Sequence, residues 1–345
     1  MRQQMGSVVR GEGRRSRRRV VTVAFMAIAC MLMVVSSAQA SVIRVGSVLP
    51  DGFVSKKFDR VETLFNTALP ESGAVLSSPV NGAIVRWSVQ GAVGGPFYLR
   101  VLRPNGKGAY EAAGKSSPAT PLGPGLETFG TNLKIQAGDV VGIDPTNATD
   151  EIGVKTESGA AYASIFPSPF EGTISPPSKT VTGEEIELVA EVQPAPQIAS
   201  ITPAFGPITG GTQLTITGSD FTGVSAVEFG TTPAASVIVD SETEITVTTP
   251  EVLRPGKVDV TVTTGAGEST NTRYDDFVYR ACVVPSLKNK SLKNAKSLLR
   301  RRGCKPGHVK KVEVSAKKED KVLKQTPRPG KILAPGARVR LKVGK

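Results

Sequence analysis

The sequence is poor in the residues that most often carry catalysis. Its 345 residues include a single histidine, His308, three cysteines and one tryptophan, Trp87, and only 5% are aromatic. With Cys30 read as discarded and the other two cysteines read as paired, as argued below, one histidine cannot build a four-ligand zinc site. A Ser-His-Asp arrangement would depend on His308 alone, in a basic stretch with few acids nearby. No EF-hand spacing occurs, so Asp139, Asp144, Asp150 and Glu151 read as solvated loop carboxylates rather than Ca²⁺ ligands. Helical periodicity is scarce as well. What is abundant is glycine (36), proline (25) and β-branched alternation. Together they predict a mainly β, multi-domain chain of two or three small, turn-rich units.

The first 40 residues read as a targeting segment rather than as fold. Arg14, Arg15, Arg17, Arg18 and Arg19 precede an uncharged apolar run over 20–35. That run is shorter than the roughly 20 residues of a spanning helix. Ala38-Gln39-Ala40 follows as an A-x-A cleavage signature. The expectation is a signal peptide over 1–40, cut after Ala40, with Cys30 discarded as apolar filler. The alternative is an uncleaved anchor with the arginines inside, the only membrane attachment the sequence offers. Either way the expected location is extracellular or at the cell surface.

Charge is very unevenly placed. The whole chain carries +13, but residues 281–345 hold 20 Lys and Arg against Glu313, Glu319 and Asp320, a net +17. Residues 41–280 balance to −10. The basic clusters Arg300-Arg301-Arg302, Lys310-Lys311 and Lys317-Lys318 are the candidate contacts for an anionic partner. A solvated, self-repelling face is the plain alternative, although +17 on so few residues exceeds what solubility needs. Export argues against nucleic acid, and so does the lack of Phe, Tyr or Trp in 281–345 for base stacking. Anionic wall polymers and phospholipid headgroups suit sequence-blind charge attraction better. Cys282 and Cys304 are an even pair in one small module, which in an oxidising compartment predicts a disulfide. Closing that loop is worth about 3 kcal/mol on the chain-entropy model. Two free thiols are the alternative.

Residues 41–192 read as short strands. Ala83 to Val89 and Phe97 to Leu102 are separated by Gly94-Gly95-Pro96, Asp139 to Ile143 is another, and Ile186 to Val192 closes the unit. The last is expected to place Ile186, Leu188 and Ala190 on one face. This layout resembles the jelly-roll-like β-sandwiches of secreted proteins, a likeness of architecture that implies no function. Trp87, Tyr98, Tyr110 and Tyr162 are candidates for a sugar platform, with core packing the preferred fate of Trp87. Gln193-Pro194-Ala195-Pro196 reads as a stiff joint.

In 193–280, Pro196-Gln197-Ile198 leads to Gly206-Pro207-Ile208-Thr209-Gly210-Gly211-Thr212, then Gln213-Leu214-Thr215-Ile216-Thr217-Gly218 and Asp220-Phe221. Alternating strands follow at 244–248 and 258–262, and Asp276-Phe277-Val278-Tyr279 closes the unit. This stretch resembles the IPT/TIG family of immunoglobulin-like domains, which implies a spacer or interaction module without a catalytic site.

In 281–345, Cys282-Val283-Val284-Pro285 opens as a strand and Ser291 caps a helix. Leu292, Ala295, Leu298 and Leu299 form the helix's apolar face and Gly303 ends it. These features, Gln325-Thr326-Pro327-Arg328-Pro329-Gly330 and the final Val339-x-Leu341-x-Val343 resemble the PASTA domain, a small α+β fold. Asn289 departs from the glycine that many members carry there. The resemblance implies a wall-facing role and recognition of peptidoglycan fragments. The expectation is a non-catalytic binding or adhesion protein with no cofactor, metal or catalytic residue. Its rivals are a carbohydrate-active enzyme with its site in 41–192 and a purely structural spacer.

Overall fold

The structure is a computed structural model that describes residues 42–49 and 52–345. The expected signal segment, its cleavage site and Cys30 lie outside the described residues. Among the described residues no helix is long and apolar enough to cross a membrane.

The fold is mainly β, as expected from the alternation. The first unit is a two-sheet sandwich. One sheet orders the strands Ile43–Gly46, Leu188–Pro194, Gly82–Val89 and Glu127–Ile135. The other centres on Phe97–Pro104, Val140–Pro145, Thr63–Ala68 and the long strand Glu151–Ile165. Between them pack Trp87, Phe97, Leu99, Ile143, Ile186 and Leu188, all fully buried. The expected strands at 83–89 and 97–102 form. The one expected over 186–192 is split. Lys179–Ile186 pairs with Glu151–Ile165 in one sheet, whereas Leu188–Pro194 pairs with Gly82–Val89 in the other. Glu187 is where the chain changes sheets, and Ile186, Leu188 and Ala190 still enter the same core.

The joint at 193–196 is shorter than its composition suggests. Gln193 and Pro194 continue the strand, opposite Ala83 and Gly82, and Ala195 donates its N–H to the Asn81 carbonyl at 2.9 Å. The next strand starts at Gln197.

Residues 197–280 form a second sandwich. Gln197–Thr202, Gln213–Ser219, Glu244–Thr248 and Ser236–Ser241 make one sheet. Phe205–Pro207, Asp276–Arg280, Gly256–Thr264, Ala226–Phe229 and Thr232–Pro233 make the other. Its core is aromatic: Phe277 meets Phe229 at 5.3 Å and Tyr279 at 5.0 Å, each edge-on, the arrangement ring quadrupoles favour. Gly210 and Gly211 both take positive φ in the turn before Gln213, which no β-branched residue could do without strain.

The last unit packs the helix Leu292–Arg301 over a three-stranded sheet, Lys305–Val312, Arg338–Gly344 and Val322–Thr326. Ser291 accepts the Asn294 N–H at 3.4 Å, the N-cap the sequence indicated. Gly303, at φ +71, closes the helix. Its N–H reaches the Arg300 carbonyl and the Cys304 N–H reaches that of Leu299, the paired bonds of a Schellman cap. A Cβ at Gly303 would lie 2.4 Å from the Ala281 carbonyl oxygen, so the position also needs glycine for space. Asn289 is left-handed at φ +64. The turn keeps the backbone of a glycine and fills it with the residue that tolerates that region next best.

Candidate functional site

The basic module is built around one disulfide. Cys282 and Cys304 are joined at an S–S distance of 2.07 Å, and both are buried among Val284, Leu287, Ala295, Leu299, Val339 and Leu341. Gln325 ties the opening segment to the sheet. Its Oε1 accepts the Leu287 N–H at 2.8 Å, and its Nε2 donates to the Pro285 carbonyl at 2.9 Å.

Alternation along the sheet then sorts the charges. Val309, Leu341, Val339, Val343 and Val322 face the helix and the core. The opposite face is a basic floor. Lys310 pairs with Lys342 and Lys342 with Lys324, so three lysines lie side by side across three strands. Arg340 pairs with Thr326 in the neighbouring row. A shallow cavity of about 210 Å³ opens on this face, lined by His308, Lys310, Lys324, Thr326, Arg340, Leu341 and Lys342. No carboxylate lines it. Like charges directly opposite each other across strands destabilise a sheet, so such a row is costly unless an anion lies over it. Among the described residues the only ion pair of this module is Lys345 with Glu313, 3.3 Å apart and away from the floor.

The seven basic residues named from sequence do not gather in one place. Arg300 and Arg301 end the helix, where they also complement its negative pole, and Arg302 is its C-cap. Lys317 and Lys318 sit on a short 3₁₀ turn. Lys311 pairs with Val343, on the helix side of the sheet. All are exposed, but only Lys310 belongs to the floor. Lys324, Arg340 and Lys342 were missed. The Val339-x-Leu341-x-Val343 alternation already implies that Arg340 and Lys342 share the other face. The strand pairing that brings Lys310 and Lys324 beside them was not readable from sequence.

The carboxylates of the first sandwich are not the solvated groups expected of them. Asp139, Asp144 and Asp150 are all buried. Asp144 pairs with Arg100 and accepts the Thr63 hydroxyl at 2.6 Å. Asp139 takes Arg103 and the Gln136 N–H. Asp150 ties the backbone N–H groups of Gly95, Thr146 and Asn147 into one turn. Every one of them already serves the fold.

The aromatic residues considered as a platform are likewise divided. Trp87 packs on Phe129 in the core, Tyr162 is 4% exposed, and Tyr110 packs edge-on against Phe65. Tyr98 lies under the Lys115 ammonium, 3.9 Å from the ring centre. A cavity of about 360 Å³ beside Tyr162 brings Asp59 and Glu62 together with Lys56, Lys57 and Lys179.

Comparison with known proteins bears on two of the three units. The model of the IPT/TIG domain matches residues 196–279, and that of the PASTA domain matches residues 283–345. No curated protein matches the chain. Among solved structures it is similar to gamma-CGTASE from alkalophilic Bacillus clarkii, at 23% identity and a TM-score of 0.22, over 36% of this chain and 17% of that one. It is also similar to the plexin A4 full extracellular region, at 19% and 0.23, over 57% and 16%. A third is SGBP-B from a complex xyloglucan utilization locus in Bacteroides uniformis, at 13% and 0.21, over 58% and 47%. The chain thus spans less than half the length of each, and at these scores the likeness carries no argument about activity. What the family matches do show is modular: behind the first sandwich lie an IPT/TIG domain and a PASTA domain, units of the kind used for binding and spacing.

Proposed function

We propose that this is an exported, non-catalytic surface protein held at the bacterial envelope by the basic floor of its PASTA domain. The IPT/TIG domain serves as a spacer and the first sandwich as the outward-facing domain. The Lys310–Lys342–Lys324 row, flanked by Arg340, carries the reading. It is an open cationic surface with no carboxylate in its lining, on a module whose family is associated with peptidoglycan-related ligands. Peptidoglycan carboxylates and anionic wall polymers both offer spaced negative charge, to which such a row responds without sequence recognition.

Retention of the full chain on purified cell wall, measured at rising salt, tests the proposal. Binding should be strong at low ionic strength and weaken steeply as the Debye length falls below about 10 Å. A Lys324→Gln/Lys342→Gln variant should lose roughly tenfold in affinity, about 1.4 kcal/mol. Substituting Lys317 and Lys318 should change little. Absence of wall binding even at low salt would end the proposal.

A further inference from the structure

A second charged cluster lies in the IPT/TIG domain, and it is of opposite sign. Asp259, in the strand Gly256–Thr264, and Asp276, at the start of Asp276–Arg280, are directly opposed in register. Asp275 adjoins them. Each of the three offers a carboxylate oxygen, and these oxygens all lie within 4.8 Å of one another. Ca²⁺–oxygen bonds run about 2.3–2.6 Å, so one ion can reach all three.

Acidic groups alone would not make a site. The second observation is the state of Asp275, which is 1% exposed. Its Oδ2 accepts the Thr272 N–H at 2.8 Å, but its Oδ1 is shut off from solvent and takes no hydrogen bond. A buried carboxylate oxygen without a donor is costly, and paired donors or a metal are the usual remedies. The neighbours do not meet the need. Asn271 donates to Asp259 at 2.6 Å, and Lys257 reaches Asp276 at 2.8 Å, so three carboxylates face one ammonium. That lysine is 62% exposed, free to swing aside.

We propose that Asp259, Asp275 and Asp276 form a Ca²⁺ site in the IPT/TIG domain, with Lys257 as the built-in cation that Ca²⁺ displaces. The donors are all hard oxygens, with no imidazole or thiolate among them, which selects against zinc. Three carboxylates, two on adjacent strands and one in the bend beside them, leave the remaining positions to water and suit the flexible coordination of Ca²⁺ better than the strict octahedron of Mg²⁺.

The test uses the full chain, freed of metal by chelation and titrated with Ca²⁺. Thermal melting follows the stability of the domain, and Tb³⁺ emission sensitised by tyrosine follows occupancy. Saturating Ca²⁺ should raise the IPT/TIG transition by about 5 °C or more, and equal Mg²⁺ should do far less. Asp275→Asn should weaken Ca²⁺ binding at least tenfold, and Lys257→Met should strengthen it. If Asp275→Asn does not fold, the more exposed Asp259→Asn decides in its place. The proposal is overturned by the lack of any saturable response up to about 10 mM Ca²⁺, beyond the weakest extracellular modules. It is equally overturned if the substituted proteins respond as the parent does.

Discussion

The first sandwich and the PASTA domain handle charge in opposite ways. In the sandwich, charged side chains are drawn inward and matched. Arg100 and Asp144 are each about 95% buried together, Arg103 closes on Asp139, and Lys155 on Glu71. In the PASTA domain the charges stay outside and largely unmatched, and a disulfide supplements a small core. A large two-sheet core can surround an ion pair and satisfy its remaining valences. A module of some 60 residues has too little interior for that, so it depends on covalent closure. Its surface is left available for an outside anion.

That contrast breaks most sharply at Arg100. Replacing it with Met leaves Asp144 buried with only the Thr63 hydroxyl, and should cost the sandwich about 3–5 kcal/mol. A combined Arg100→Met/Asp144→Leu protein should recover most of the loss, because a well-packed apolar pair often matches a buried ion pair. Denaturant melts of the sandwich transition would decide. A loss under about 1 kcal/mol for the single change would mean that the internal pair is not what distinguishes this unit.

The reciprocal test is the disulfide. Cys282→Ser/Cys304→Ser should lower the stability of the PASTA domain by about 3 kcal/mol, for a 22-residue separation. The sandwich transition should not move. Calorimetry that resolves the transitions reads both. Equal effects on the two units would show that they fold as one body and would remove the comparison.

How far these features could be read from sequence depends on the range of the interactions that make them. Local signals survive folding: the Ser291 cap, the Gly303 termination, and the alternation of Val339, Leu341 and Val343. The Cys282–Cys304 pair was legible too, because both cysteines fall in one small module. Pairing between distant strands was not legible. It assembles the Lys310–Lys342–Lys324 row across residues 32 positions apart in chain order, and it sets Asp259 opposite Asp276. For the same reason Asp144 looked like a loop carboxylate: its partner Arg100 lies 44 residues earlier. The strand break at Glu187 was hidden by continuous apolar alternation, since both halves face one core while pairing in different sheets.

The smallest expected effect concerns a group the sandwich buries but does not match well. Glu185 is fully buried in the strand Lys179–Ile186, opposite Lys155, and neither of its carboxylate oxygens takes a hydrogen bond. Burial, reinforced by Glu71 and Glu157 and opposed by Lys155 and Ser47, pushes its carboxyl up to about 7 from 4.5. The fold therefore prefers the protonated acid and binds more proton than the unfolded chain between those two values. As far as this group is concerned, stability should be greatest below about pH 4.5, fall as pH rises to about 7, and level off above it. The surrounding charges and dipoles relax when Glu185 ionises, so the expected loss is about 1–2 kcal/mol rather than the full amount of the shift. Glu185→Gln keeps the shape without the charge and should flatten that slope, leaving the protein more stable than its parent at pH 8. A slope unchanged by the substitution would assign the pH dependence to another carboxylate, and would mean that this part of the sandwich matches its charges as completely as the Arg100–Asp144 pair does.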